Sequence, residues 1–145
     1  MIIKTKKIHE NATLPTMGTE YAAGNDLYAC LDEQRTIPAG RTAKIGTGIC
    51  VEIPEGFFGG VFARSGLATK QGLRPVNCVG VIDSDYRGEI IVALHNDSSE
   101  DRIIQNGDRI AQLIILPYLV SKFELSEELS DTVRGSDGFG STGTN

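Results

Sequence analysis

The sequence has no tryptophan, two histidines and three cysteines. It also has no apolar run of the ~20 residues that a membrane-spanning helix needs. Positive charge is scarce: 14 Lys and Arg against 19 Asp and Glu, a net of −5. Without a Lys/Arg block, binding to a nucleic-acid polymer through its phosphate backbone is excluded. If a chain this acidic handles nucleotides, it meets them free in solution. Cys30, Cys50 and Cys78 form no CxxC pair and no metal-ligand spacing. They read as reduced, mostly buried small hydrophobes of a cytoplasmic protein. His9 and His95 are far apart and neither sits in a ligand motif. No secretory signal is evident in Met1-Ile-Ile-Lys-Thr-Lys-Lys, and no Gly-x-x-x-x-Gly-Lys-Ser/Thr stretch marks a P-loop.

Helical periodicity is scarce too. What is present is alternation. Ile49, Val51 and Ile53 alternate with Cys50, Glu52 and Pro54, as in a half-buried strand ending at the proline, and Ile90, Val92 and Leu94 alternate again. Turn signals punctuate the short apolar runs: Pro38-Ala-Gly40, Pro54-Glu-Gly56, Asn96-Asp-Ser-Ser99 and Asn106-Gly107. In 145 residues this pattern predicts a single all-β domain, an antiparallel sandwich or barrel. One short helix is expected over Ser65–Gln71, with Ser65 as N-cap and Gly72 as stop. The run Ile110-Ala-Gln-Leu-Ile-Ile-Leu116 is nearly all apolar and reads as a strand covered on both faces, the second cover being another subunit. From about Ser126 the chain turns polar and glycine-rich. The expected division is therefore a β core over 1–125 and a mobile arm over 126–145.

The last part of that arm is Arg134-Gly-Ser-Asp-Gly-Phe-Gly-Ser-Thr-Gly143. Taken alone it is a flexible linker. Its chemistry also suits a ligand with a flat ring and several phosphates. Phe139 can stack on a base, while Arg134, Ser141, Thr142 and the glycine amides can hold anionic oxygens. Four other segments stand before it in order: Ala22-Ala-Gly-Asn-Asp-Leu-Tyr28, Ala63-Arg-Ser-Gly-Leu-Ala68, Gly80-Val-Ile-Asp-Ser-Asp-Tyr-Arg-Gly88 and Gly107-Asp-Arg-Ile-Ala-Gln-Leu113. The five together resemble the ordered motifs of the trimeric deoxyuridine triphosphatases, and they span residues 22–143. Two positions depart from that pattern. Asn25 stands where a larger apolar or aromatic residue is common, and Asp137 stands where a third glycine of the tail is often found.

The resemblance implies a distorted jelly roll, a barrel of the β-clip type with one short helix and a flexible C-terminal arm. It implies hydrolysis of dUTP to dUMP and pyrophosphate by water attack on the α-phosphorus. Such an activity keeps uracil out of DNA and supplies dUMP for thymidylate synthesis. It further implies a homotrimer with shared active sites. Mg²⁺ would be held by triphosphate oxygens and waters, in keeping with this ion's reluctance to shed its hydration.

Residue by residue, Asp83 is the expected catalytic group, since breaking a phosphoanhydride needs a positioned water and a carboxylate can orient and deprotonate it. Its surroundings, Asp-Ser-Asp-Tyr-Arg-Gly, also look like an ordinary hairpin tip. Asp85 receives no role. Tyr86 resembles the ring that packs beneath deoxyribose and leaves no room for a 2′-hydroxyl. Pro75–Gly80 with Val81 and Ile82 looks like a uracil-binding hairpin. There Asn77 and backbone groups match the base edge and Gly80 lets the backbone approach. Arg64, Ser65 and Gly66 at the start of the expected helix form an anion site. Asp26 would hold Arg64 or order the metal's waters. Gln112, polar in an apolar run, needs a partner and sits where the family places a phosphate or its water.

Two other readings are weighed. A dCTP deaminase shares this fold, but aligning on Asp83 and Tyr86 puts Ala93 where that family has its catalytic glutamate, and the Phe-Gly-Ser-Thr tail is foreign to it. A non-catalytic nucleotide-sensing protein could keep Tyr86 and Phe139, but it would not need Asp83.

Overall fold

The computed structural model describes residues 1–136 and 138. In chain order its elements are β1 (Lys4–Lys7), β2 (Thr16–Met17), β3 (Asn25–Tyr28), β4 (Arg35–Ile37), β5 (Thr42–Gly46), β6 (Ile49–Glu52) and β7 (Phe57–Phe62). There follow α1 (Ser65–Gln71), β8 (Leu73–Pro75), β9 (Val79–Ile82), β10 (Ile91–Asn96), β11 (Arg102–Ile104) and β12 (Arg109–Pro117). The strands pair antiparallel in four groups: β1-β6, β5-β10-β8, β11-β4 and β2-β3-β12-β7-β9. Among the described residues this is the expected all-β jelly roll with a single short helix.

Alternation builds the core. Ile49, Val51 and Ile53 are 0%, 3% and 2% exposed, and Ile90, Val92 and Leu94 are buried as well. They meet Leu27, Ile37, Ile45, Val61, Leu73, Ile110 and Leu113 in one apolar cluster. Burial at roughly 25 cal/mol per Å² of apolar surface is what holds such short strands together, since few pair along more than four or five residues.

The helix runs over Ser65–Gln71 as expected, but its N-cap is Arg64, in extended conformation, and no side chain caps it. Ser65 is the first helical residue. Gly72 does close the helix, at φ +69°, and its N–H bonds back to the carbonyls of Ala68 and Leu67. Positive φ costs a glycine nothing and a residue with a Cβ about a kilocalorie or more.

Two expected hairpins are not hairpins. β8 pairs with β10 and β9 with β7, so the segment between them crosses from one sheet to another. It does so through Cys78, whose φ is +62°, with Val79 N–H donating to the Asn77 carbonyl at 2.7 Å. The turn holding Asp83 likewise joins β9 to β10, which lie in different sheets. Strand periodicity locates strands but does not say which strand each pairs with. Along β12, Ile110, Ala111 and Leu113 are buried, whereas Gln112, Ile114 and Leu116 are only half covered within one chain. The last regular element ends at Pro117; Tyr118 packs its ring edge-on against Phe58, with centroids 6.4 Å apart. Against expectation, none of the three cysteines is fully buried: Cys30 follows β3, Cys50 faces outward within β6, and Cys78 is exposed in the turn between β8 and β9. No helix among the described residues is long and apolar enough to cross a membrane.

One buried polar group locks a corner of the fold. Asn96, 0% exposed, donates from Nδ2 to the carbonyls of Ile37 at 2.9 Å and Glu100 at 2.8 Å. Its Oδ1 accepts from the N–H of Ser98 at 3.0 Å and from the Ser98 hydroxyl at 2.7 Å. Asn96→Ala strands these partners away from water and should lower the unfolding free energy by roughly 2–4 kcal/mol. Urea denaturation measures this loss, and an unchanged midpoint would show that the network carries no stability.

Candidate active site

Two concavities hold the chemistry-bearing residues. The first, of about 280 Å³, lies where β9 and β10 part, and its wall includes Asn77, Gly80, Val81, Asp83, Tyr86 and Glu89. Asp83 closes a tight turn, its carbonyl accepting the Tyr86 N–H at 3.1 Å, which puts both side chains at one rim. Asp83 is exposed and Tyr86 is 43% exposed. Asp85 lies inside the same turn, so the extended geometry that would send it to the opposite face does not apply. Gly80 stands opposite Val61 on β7. Ala93 also borders this pocket.

The second concavity, of about 410 Å³, is bordered by Gly24, Asp26, Arg64, Ser65, Gly66, Arg109 and Gln112. Its electrostatics centre on Asp26, whose side chain is 14% exposed. Arg64 Nε donates to Asp26 Oδ1 at 2.7 Å, and Arg109 Nη1 donates to Asp26 Oδ2 at 3.2 Å. Arg64 Nη1 also reaches the Arg109 carbonyl at 3.3 Å. One carboxylate thus holds two guanidinium groups side by side, the arrangement that suits a multiply charged anion. Gln112 finds its polar partner in the Ala63 carbonyl, to which Nε2 donates at 2.8 Å. The backbone N–H groups of Ser65 and Gly66, in the first helical turn, have no partner within the helix. Asn25, one of the two departures, donates weakly from Nδ2 to the Leu113 carbonyl at 3.4 Å.

Arg109 was not among the residues singled out from the sequence. It lies within the quoted Gly107–Leu113 segment three residues before Gln112, so the signal was there. The bulge between Arg109 and Ala111, which sets its direction, was not. Glu89 was missed although it directly follows the quoted Gly80–Gly88 segment, because its partner, the Gly48 N–H, lies 41 residues away. Arg134 lies in a turn in which Gly135 N–H donates to the Thr132 carbonyl at 3.1 Å. Asp137, Phe139, Ser141 and Thr142 lie outside the described residues.

The model for the dUTPase family matches residues 10–143 of this chain. The chain belongs to the dUTPase family. A deoxyuridine 5′-triphosphate nucleotidohydrolase of Desulfitobacterium hafniense is 53% identical over 131 residues, covering 90% of this chain and 87% of that protein. Its counterpart in Syntrophotalea carbinolica is 45% identical, covering 97% of this chain and 96% of that protein. Among solved structures, a G164S mutant of the Staphylococcus bacteriophage 80alpha dUTPase with dUpNHpp superposes with a TM-score of 0.89 at 28% identity, with 98% of each chain covered. In this dUTPase, as the register shows, the two concavities border the same sheet but share no wall residue. One row crosses the sheet as Asp26, Gln112, Phe62 and Val79. Three strand spacings, about 14 Å, therefore separate its ends.

The cysteines around this frame differ in reactivity. Burial, joined by the charges of Glu89 and Asp32, pushes the Cys30 thiol above its ordinary value and so suppresses the thiolate. Cys78 is exposed next to Asn77. A maleimide reagent at neutral pH should label Cys78 before Cys30, as read by peptide mass spectrometry; the reverse order would contradict this geometry.

Proposed function

We propose that each active site is completed by neighbouring copies of this chain, the first concavity of one copy facing the second concavity of another. The reaction is hydrolysis of dUTP to dUMP. The observation that carries the assignment of parts is the gathering of Asn77, Gly80, Val81, Asp83 and Tyr86 around one small concavity. Uracil enters there. Asn77 and the backbone of Gly80 and Val81 match its donor and acceptors, and an amino group in place of O4 would leave donors facing donors. Tyr86 lies under the sugar and excludes a 2′-hydroxyl. Asp83 orients a water toward the α-phosphorus and accepts its proton. The water oxygen bonds to phosphorus, the bridging bond to the β-phosphate breaks, and pyrophosphate leaves. A carboxylate at the position of Ala93 would be needed for deamination, and alanine supplies none.

The triphosphate lies against Arg64, the N–H groups of Ser65 and Gly66, and Gln112, with Arg109 beside them. Asp26 positions both arginines. Mg²⁺ fits this donor set: Asp26 and Gln112 offer hard oxygen atoms, too few for a cage but suited to holding the waters of an ion carried by the phosphates. When bound, that ion neutralises charge on the phosphates. From the tail, Phe139 covers the base, while Arg134, Ser141 and Thr142 close on the outer phosphates and exclude water.

Two features support a homotrimer. The outer face of the five-stranded sheet carries Phe58, Phe62, Ile114, Leu116, Val79 and Val81, with Val81 61% exposed. Beyond β12 the chain presents Leu119, Phe123 and Leu125 almost wholly to solvent, Phe123 and Leu125 at 99% each. So much apolar surface on one chain calls for a partner, and closed three-fold symmetry would cover it.

Asp83→Asn should cut kcat for dUTP about 10²–10⁴-fold while leaving affinity for a non-hydrolysable analogue intact. Pyrophosphate release and calorimetric titration measure the two quantities, and a wild-type kcat would remove Asp83 from its role. Subunits truncated after residue 133, mixed and exchanged with Asp83→Asn subunits, should regain activity that neither parent has. A mixture as inactive as its parents, once exchange is verified by native mass spectrometry, would show that the arm does not serve another subunit's site.

A further inference from the structure

Tyr86 poses a mechanical problem. A ring excludes a hydroxyl only if it cannot swing aside, yet this ring is 43% exposed on a tight turn, and no core grips it. Two neighbours do the holding. The Tyr86 hydroxyl donates to the Glu89 carbonyl at 3.0 Å. The ring also lies directly on Gly88. A Cβ at that position would sit 2.6 Å from Tyr86 Cζ and 3.0 Å from Cε2, far inside contact distance. Gly88 is not among the residues with positive φ. No left-handed backbone conformation calls for glycine there; the space that a Cβ would need is taken by the ring, which would have to shift.

Glu89 is anchored in turn. Its Oε1 accepts the Gly48 N–H at 2.8 Å, and the carboxyl lies over Gly46, where a Cβ would come within 2.5 Å of Oε1. The next residue is tied to the same turn. The Thr47 hydroxyl donates to the Ile90 carbonyl at 2.6 Å, and Ile90 N–H donates to the Ile49 carbonyl at 2.9 Å. Thus the β5–β6 turn holds Glu89, Glu89 and Gly88 hold the ring, and the ring borders the same concavity as Asp83.

We infer that Gly88 and Glu89 are positioning residues that fix the Tyr86 ring and thereby set the preference for deoxyribose over ribose. This rests on Tyr86 being the sugar wall, as proposed above. Gly88 supplies a flat seat, and Glu89 supplies a carbonyl held still by its own carboxylate. One methylene more or less in a pocket is worth about 10–200-fold in discrimination, which sets the scale for a wall moved by a similar width.

The test compares kcat/KM for dUTP and UTP in the wild type, Tyr86→Ala, Tyr86→Phe, Gly88→Ala, Glu89→Ala and Glu89→Gln, with thermal unfolding of each. Gly88→Ala should narrow the dUTP-over-UTP ratio about tenfold or more. Glu89→Ala and Tyr86→Phe should narrow it less, since each loses one restraint and keeps the ring. Glu89→Gln, whose amide oxygen can still accept from Gly48, should keep the wild-type ratio. A purely structural role would lower Tm and total activity without moving the ratio. If Tyr86→Ala narrows the ratio but Gly88→Ala leaves it within about twofold of wild type, the inference is overturned and the sugar-wall reading survives. If Tyr86→Ala leaves the ratio unchanged, the sugar-wall reading itself fails and the inference falls with it. Should Gly88→Ala not fold, unchanged ratios in both Tyr86→Phe and Glu89→Ala overturn the inference.

Discussion

The double pairing of β12 is the constraint on which the rest depends. This strand is hydrogen-bonded to β3 along one edge and to β7 along the other. Antiparallel pairing with a fixed register places side chains opposite one another on the same face. Gln112 is thereby set between Asp26 and Phe62. A slip of one residue would turn Gln112 into the core and Leu113 out. The apolar face made by Ile110, Ala111 and Leu113 forbids that slip, so burial on one face dictates the polar arrangement on the other.

From that register follows the electrostatics. Arg64 comes from the end of the β7–α1 connection, Arg109 from the start of β12, and Asp26 from β3. A single carboxylate faces both guanidinium groups at 2.7 and 3.2 Å. Two cations held close together would repel if left alone. Asp26 offsets that repulsion and holds the two guanidinium groups side by side. In a chain with a net charge of −5, this local concentration of positive charge depends on the fold rather than on composition.

The two faces of the same sheet are covered unequally within one chain. Its inner face is sealed by the core, but its outer face and the segment after Pro117 leave large apolar groups to water. The concavity around Asp83 and the one around Asp26 share no wall residue. On the reading proposed above, an assembly that covers the apolar surface also brings the two concavities together.

Much of this was legible in the residues themselves. Alternating apolar positions such as 49, 51 and 53 found the strands, because the side-chain period of a strand is two and burial acts on one face. Gly72 marked the end of the helix, because only a residue without Cβ takes positive φ freely. The five ordered segments carried the family, because each preserves a particular chemistry at its place along the chain. The strand partners were beyond reach. β8 and β9 are neighbours in sequence yet lie in different sheets, since pairing is decided by long-range packing and not by local pattern. Ser65 looked like a cap and is not one, because Arg64 takes the extended conformation at that point. The company kept by Arg109 and Glu89 was likewise invisible: their partners, Asp26 and Gly48, stand 83 and 41 residues away. Local sequence thus determined the elements and the chemical groups, whereas tertiary structure alone decided which groups meet, because contacts across such distances exist only once the chain has folded.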